Sequence, residues 1–135
     1  MNLAIINTRS TIGISSETVL IETHISNGLP AFSMVGLPET AVKESKERVR
    51  SALINSNFEF PNNLSPAALP KAGCGFDLGI AISILIASNQ LKCCELDNIE
   101  ILGELALTGE LRGLPFILPS VIHAEKNDHI LLIPT

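Results

Sequence analysis

The chain has 135 residues, a net charge of −5 at pH 7, and a composition that is 46% hydrophobic and 17% charged. That is enough apolar material for one packed domain and too little charge for a disordered chain. The acidic balance argues against a broad nucleic-acid-binding surface, and five Phe with no Trp or Tyr require an aliphatic core.

Leu3 to Asn7 reads as a short strand, and the β-branched run Thr18 to Ser26 as a second. Asn27-Gly28 is a hairpin-type turn, so a third strand, Ala31 to Val35, is predicted antiparallel to the second. Pro38 suits a first helical position, and the helix is expected from Pro38 to Ser56. Val42, Ser45, Val49, Ala52 and Leu53 form its apolar stripe, while Glu39–Lys43, Lys43–Glu47 and Glu44–Arg48 place opposite charges at i, i+4. Phe58-Glu59-Phe60 alternates like a short strand, and Pro61 to Gly75 reads as a loop. A second helix, Leu78 to Gln90, is apolar nearly all round and is expected to be central. Ile99 to Leu107 reads as a strand that turns at Thr108-Gly109-Glu110 into Leu111 to Leu114. A third helix follows from Ile117 to Lys126, with Pro119 in its first turn and Asn127-Asp128 ending it. Ile130 to Ile133 is a last strand. This order predicts a single-domain α/β (α+β) sandwich with a mixed sheet and three helices.

The longest apolar stretch, Leu78 to Ala87, falls well short of the ~20 residues that span a bilayer. Met1 to Asn7 has no basic n-region followed by a long apolar segment. A cytoplasmic protein without a membrane partner is expected. The three cysteines, Cys74, Cys93 and Cys94, form no disulfide framework, and His24, His123 and His129 have no metal-ligand spacing. No metal, cofactor-binding or catalytic residue is assigned.

Two features invite a chemical reading. Gly73-Cys74-Gly75 precedes a helix and offers backbone N–H groups to an anion, but it lacks a P-loop pattern, and Lys71 lies on the wrong side of the glycines. A structural turn is the better reading. Cys74 sits where a helix N-terminus lowers a thiol pKa, yet nothing in the spacing ties a histidine to it. An independent enzyme using Cys74, Lys71 or Asp77 is therefore a minor alternative. Asp77 is read as the cap of the second helix. The cations Lys43, Lys46, Arg48 and Arg50 alternate with Glu39, Glu44 and Glu47, so a solvated, salt-bridged face is favoured over a phosphate-binding one. With Arg112 in the hairpin, these four are the candidate interaction residues.

Several stretches converge on a family: GLPAFSMVGLPET (28–40), VKESKERVRSA (42–52), LSPA (64–67), LPKAG (69–73), FDL (76–78) and LGELALTGELRG (102–113). Together they resemble the N-terminal domain of the magnesium-chelatase-like AAA+ proteins of the YifB/ComM type. The resemblance implies a fold like ribosomal protein S5 domain 2, shared with the proteolytic domain of Lon. For the parent it implies a hexameric ATPase that drives DNA branch migration in natural transformation, with no indication of porphyrin metallation. The family's ATPase module, with its ATP and Mg, lies C-terminal to this domain, and residues 1–135 contain no Walker motif or arginine finger. The family pattern also places a central strand between Pro61 and Leu64, where this chain is shortened. In Lon-type proteases a nucleophilic serine sits in a turn similar to Gly75-Phe76-Asp77-Leu78-Gly79, and its lysine partner falls near Leu118. Asp77 and Leu118 supply neither a hydroxyl nucleophile nor an amine base. The sequence thus points to a non-catalytic assembly or interaction domain whose partners are further copies of itself or the parent's AAA+ module. Direct DNA binding is the alternative.

Overall fold

The computed structural model describes residues 2–12, 15–25, 31–34, 39–60, 65–67, 75–92, 96–114 and 117–134. Strands β1 (Asn2–Ile12), β2 (Ser15–Ile25) and β3 (Ala31–Met34) form an antiparallel meander. Helix α1 (Glu39–Asn55) leads to β4 (Ser65–Ala67), which runs parallel to β3 at one edge. Helix α2 (Asp77–Ala87), β5 (Ile99–Ile101), the ribbon strands β6 (Glu104–Leu105) and β7 (Leu111–Arg112), helix α3 (Leu118–Lys126) and β8 (Ile130–Leu132) follow. The main sheet has the order β4-β3-β2-β1-β5-β8, with β5 parallel to both β1 and β8. Strands β6 and β7 form a separate antiparallel pair. Among the described residues the architecture is the expected α/β sandwich with a mixed sheet and three helices.

Alternation sorts the sheet's two faces. Ala4, Ile6 and Thr8 of β1 are buried with Ile21 and Thr23 of β2, while Ile5 and Leu20 are exposed. Ile6 and Ile21 are register partners, and both pack into the core built by Ile80, Ile84 and Leu85 of α2 and Val49, Ala52 and Leu53 of α1. The stripe predicted for α1 is therefore the face that enters the core at Val49, Ala52 and Leu53. Gly79 lets α2 lie close on the sheet, because a Cβ there would stand 3.0 Å from Ile21 Cδ1. Across the same interface Thr23 Oγ1 and Ser83 Oγ share a buried hydrogen bond of 2.7 Å.

Each helix stops by the same device. Asn57, Asn89 and Asp128 take positive φ (66°, 62° and 56°) just past α1, α2 and α3. The N–H of the following residue reaches back over the turn: Phe58 to Leu53 O, Gln90 to Leu85 O and His129 to Ala124 O, each 2.9 Å. These are Schellman closures, with short polar side chains where glycine is commonest. The closure at Asn89 ends α2 at Ala87, short of the Gln90 expected from its apolar run.

Four further expectations are corrected. β1 extends to Ile12 rather than ending at Asn7, because Thr8 to Ile12 continue the register with β2. Phe58 to Phe60 form no strand: the Gln90 side chain occupies the backbone of Glu59, its Oε1 accepting from the N–H (2.7 Å) and its Nε2 donating to the carbonyl (2.8 Å). The loop expected from Pro61 to Gly75 contains β4, an outer strand of the main sheet among the described residues. The strand expected from Ile99 to Leu107 breaks after Ile101: Leu102 N–H makes a last ladder bond to Leu132 O (3.0 Å), and Gly103 N–H then turns away to Gly75 O (3.0 Å). The turns at Asn27-Gly28 and Gly36 to Pro38 lie outside the described residues, as do Pro61 to Leu64, Lys71, Cys74, Cys93 and Cys94.

The ribbon's turn is fixed by Gly109, at φ 97°, whose N–H donates to Ala106 O at 2.9 Å. A Cβ at this position would lie 2.6 Å from Ser56 Oγ and 3.2 Å from Ala52 O. Gly109→Ala is expected to cost more than ~1 kcal/mol, through both backbone strain and contact with α1, measurable as a lower urea midpoint with an unchanged m-value.

Candidate interaction surface

Arg48 points from α1 to the start of α2. Its Nε donates to Asp77 Oδ2 at 2.7 Å and its Nη2 to Oδ1 at 3.0 Å, a bidentate pair. The Asp77 side chain is fully buried and that of Arg48 is a quarter exposed. Leu105 N–H, from β6, also donates to Asp77 Oδ2 at 3.1 Å. One carboxylate therefore joins α1, α2 and the β6–β7 ribbon. Asp77 is not the helix cap expected from sequence: Phe76 occupies that position without a side-chain hydrogen bond, and Asp77 lies one residue inside. Nor is Arg48 a member of a solvated charged face.

Main-chain bonds continue the suture. Leu78 N–H, in the first turn of α2, donates to Gly103 O at 3.1 Å. That amide is one an anion at this helix end would have used. On the α1 side, Ser51 Oγ (2.9 Å) and Asn55 Nδ2 (2.7 Å) both donate to Leu107 O. The ribbon is thus held to both helices while its tip stands out: Leu107 is 58% and Leu111 54% exposed.

Two shallow depressions flank Leu107. One, of about 360 Å³, lies between Arg48, Leu105, Thr108, Glu110 and Arg112. The other, of about 420 Å³, is lined by Glu47, Arg50, Ser51, Ile54 and Asn55. Arg50 and Arg112 are exposed. The structure thus brings Arg48, Asp77 and Arg112 together, with Arg50 on the neighbouring depression. Lys43 and Lys46 belong to α1, but their side chains lie outside the described residues. Glu47, Glu104 and Glu110 alternate with the arginines, so the surface is charge-balanced with an apolar tip.

A second cluster was not anticipated from the sequence. Arg9 of β1 and Glu100 of β5 form a bidentate pair, Nε–Oε2 2.5 Å and Nη2–Oε1 2.7 Å, with side chains 2% and 0% exposed. His129 Nδ1 contacts Glu100 Oε1 at 2.8 Å. His123 instead places its Nδ1 2.7 Å from Pro119 O within α3. Among the described residues, no three His, Cys, Asp or Glu gather as metal ligands, and no helix is long and apolar enough to cross a membrane.

Residues 21–135 match the family described as subunit ChlI of Mg-chelatase. The chain belongs to this family. Among curated ChlI-like relatives, an uncharacterized protein YifB of Salmonella typhimurium is 50% identical over 140 residues, which cover 100% of this chain and 28% of that protein. Competence protein ComM of Haemophilus influenzae is 49% identical over 138 residues, 98% of this chain and 27% of its own length. An uncharacterized protein of Mycobacterium tuberculosis is 39% identical over 120 residues, covering 85% of this chain and 24% of its own. The chain thus spans a little over a quarter of YifB and ComM, and the expected YifB/ComM kinship holds over nearly all of it.

In this ChlI-family chain, sequence reasoning missed the exposed leucines and the acidic residues that complete the ribbon surface. Leu107 and Leu111 flank a Thr-Gly turn, and an apolar residue there reads as strand interior. The signal for Glu100 was present as a lone charge between Ile99 and Ile101. A charge flanked by strand-forming isoleucines demands a buried partner when the strand is interior.

Proposed function

We propose that the chain is a non-catalytic assembly or interaction domain of a ComM-like AAA+ ATPase, a parent that assembles as a ring and acts on DNA. The observation that carries this reading is the β6–β7 ribbon. It is fastened to both helices through Asp77 and Leu107 O, yet it presents Leu107, Leu111 and Arg112 to the outside. An apolar-tipped projection with polar and charged surroundings suits a protein partner: interfaces bury an apolar centre inside a polar rim, and arginines such as Arg112 are enriched among the residues that anchor them. The engaged Asp77 carboxylate offers no nucleophile, which supports the non-catalytic reading. ATP and Mg are assigned to the parent's ATPase module and not to these residues.

The partner is a neighbouring subunit or the AAA+ module itself. Leu111→Ser combined with Arg112→Glu, in a polypeptide of the relatives' length, is expected to weaken ring assembly at least about tenfold in mass photometry with circular dichroism unchanged, a loss of ~1.4 kcal/mol. Unaltered assembly discards the reading. Direct DNA binding through Arg50, Arg112, Lys43 and Lys46 is the competing outcome. It would appear as a gel shift at low salt that vanishes steeply as salt rises.

A further inference from the structure

The main sheet ends on a strand composed like an interior one. Ile130 to Ile133 is an unbroken aliphatic run, the pattern of parallel strands covered on both faces, and β8 is parallel to β5. Yet β8 has a sheet neighbour on one side only among the described strands, and Ile130, Leu132 and Ile133 are 54%, 47% and 39% exposed. Proteins blunt a free edge with lysine, proline, inward charge or a bulge. Here Asp128 precedes the run, Pro134 follows it, and nothing interrupts it.

The register fixes which backbone groups face outward. Ile130 N–H donates to Asn98 O at 2.8 Å, and Leu132 O accepts from Leu102 N–H at 3.0 Å. The main chain of Ile130 and Leu132 therefore faces β5, and alternation turns the N–H and C=O of Leu131 and Ile133 to the open side. Helix α3, packed beside β8, adds exposed Leu118, Val121 and Ile122.

We propose that β8 accepts one further strand, uncharged and aliphatic, supplied by polypeptide outside these 135 residues. This inference rests on the reading of the chain as one part of a longer ComM-like protein. The matched residues make up only 27–28% of YifB and ComM, so such proteins hold ample chain to supply the strand. Tethering presents that strand at high effective concentration. A second copy is the poorer occupant, because each copy carries a net charge of −5 and the two repel. The added strand is uncharged because its side chains would stand beside Ile130 and Leu132, where an unpaired charge loses its water.

Amide hydrogen exchange tests this by comparing the 135-residue chain with the same residues carried in a polypeptide of the relatives' length. The Leu131 and Ile133 amides are expected to exchange at least about tenfold more slowly in the longer protein. Equal rates overturn the inference. Protection in the 135-residue chain that grows with its concentration assigns the edge to a second copy and also overturns it. The Leu111→Ser, Arg112→Glu assembly experiment reports on the ribbon alone. Equal amide rates beside a ring-assembly defect would therefore discard the strand and leave the assembly reading standing.

Discussion

Arg9→Met is expected to lower the unfolding free energy by about 3–5 kcal/mol, because it removes the main charge partner of the fully buried Glu100 carboxylate. His129 remains against Oε1, but its side chain is a quarter exposed and does not reproduce the two-pronged contact of the guanidinium. The asymmetry of buried ion pairs supplies the control. Removing both charges, as Arg9→Met with Glu100→Leu, relieves the stranded carboxylate and is expected to recover most of the loss. Urea unfolding of the two single variants and the double variant measures the coupling. A single variant with a wild-type midpoint would contradict the burial of the pair.

Arg48→Met is expected to cost about 3 kcal/mol, the lower end of the same range, because the Arg48 side chain is partly in water and Leu105 N–H stays on the Asp77 carboxylate. The distinctive consequence is local. With Asp77→Leu in place, Leu105 N–H loses its acceptor, and the ribbon is released from α2 at that point. Amide exchange at Leu105 is expected to accelerate more than exchange at Ile84, which lies in the core. Uniform acceleration across both sites would show that Asp77 stabilises the whole domain without specifically fastening the ribbon.

Elements that depend on local pattern were legible in the sequence. The stripe through Val49, Ala52 and Leu53 places α1 within a residue of each end, and Pro119 with Asn127-Asp128 brackets α3. The elements that failed depend on remote partners. The break after Ile101 comes from Gly103 bonding to Gly75, and the missing strand at Phe58 to Phe60 from the Gln90 side chain. The candidate site divides the same way. Arg50 and Arg112 sit on the surface as expected, whereas Arg48 and Asp77 are 29 positions apart and neither announces the other. A carboxylate before a helix reads locally as a cap; only tertiary packing turns it into the junction of three elements.

The long β1–β2 ladder has a kinetic consequence. Its pairing runs from Asn2↔Ile25 to Ile12↔Ser15, so it grows from neighbours in the sequence and each added pair closes almost no new loop. Joining β1 to β5 means bringing Asn7 to Glu100, across most of the chain, before any contact offsets the lost freedom. The hairpin is accordingly expected to form early, with β5 and β8 joining the sheet late, an order that residue-by-residue folding kinetics would check.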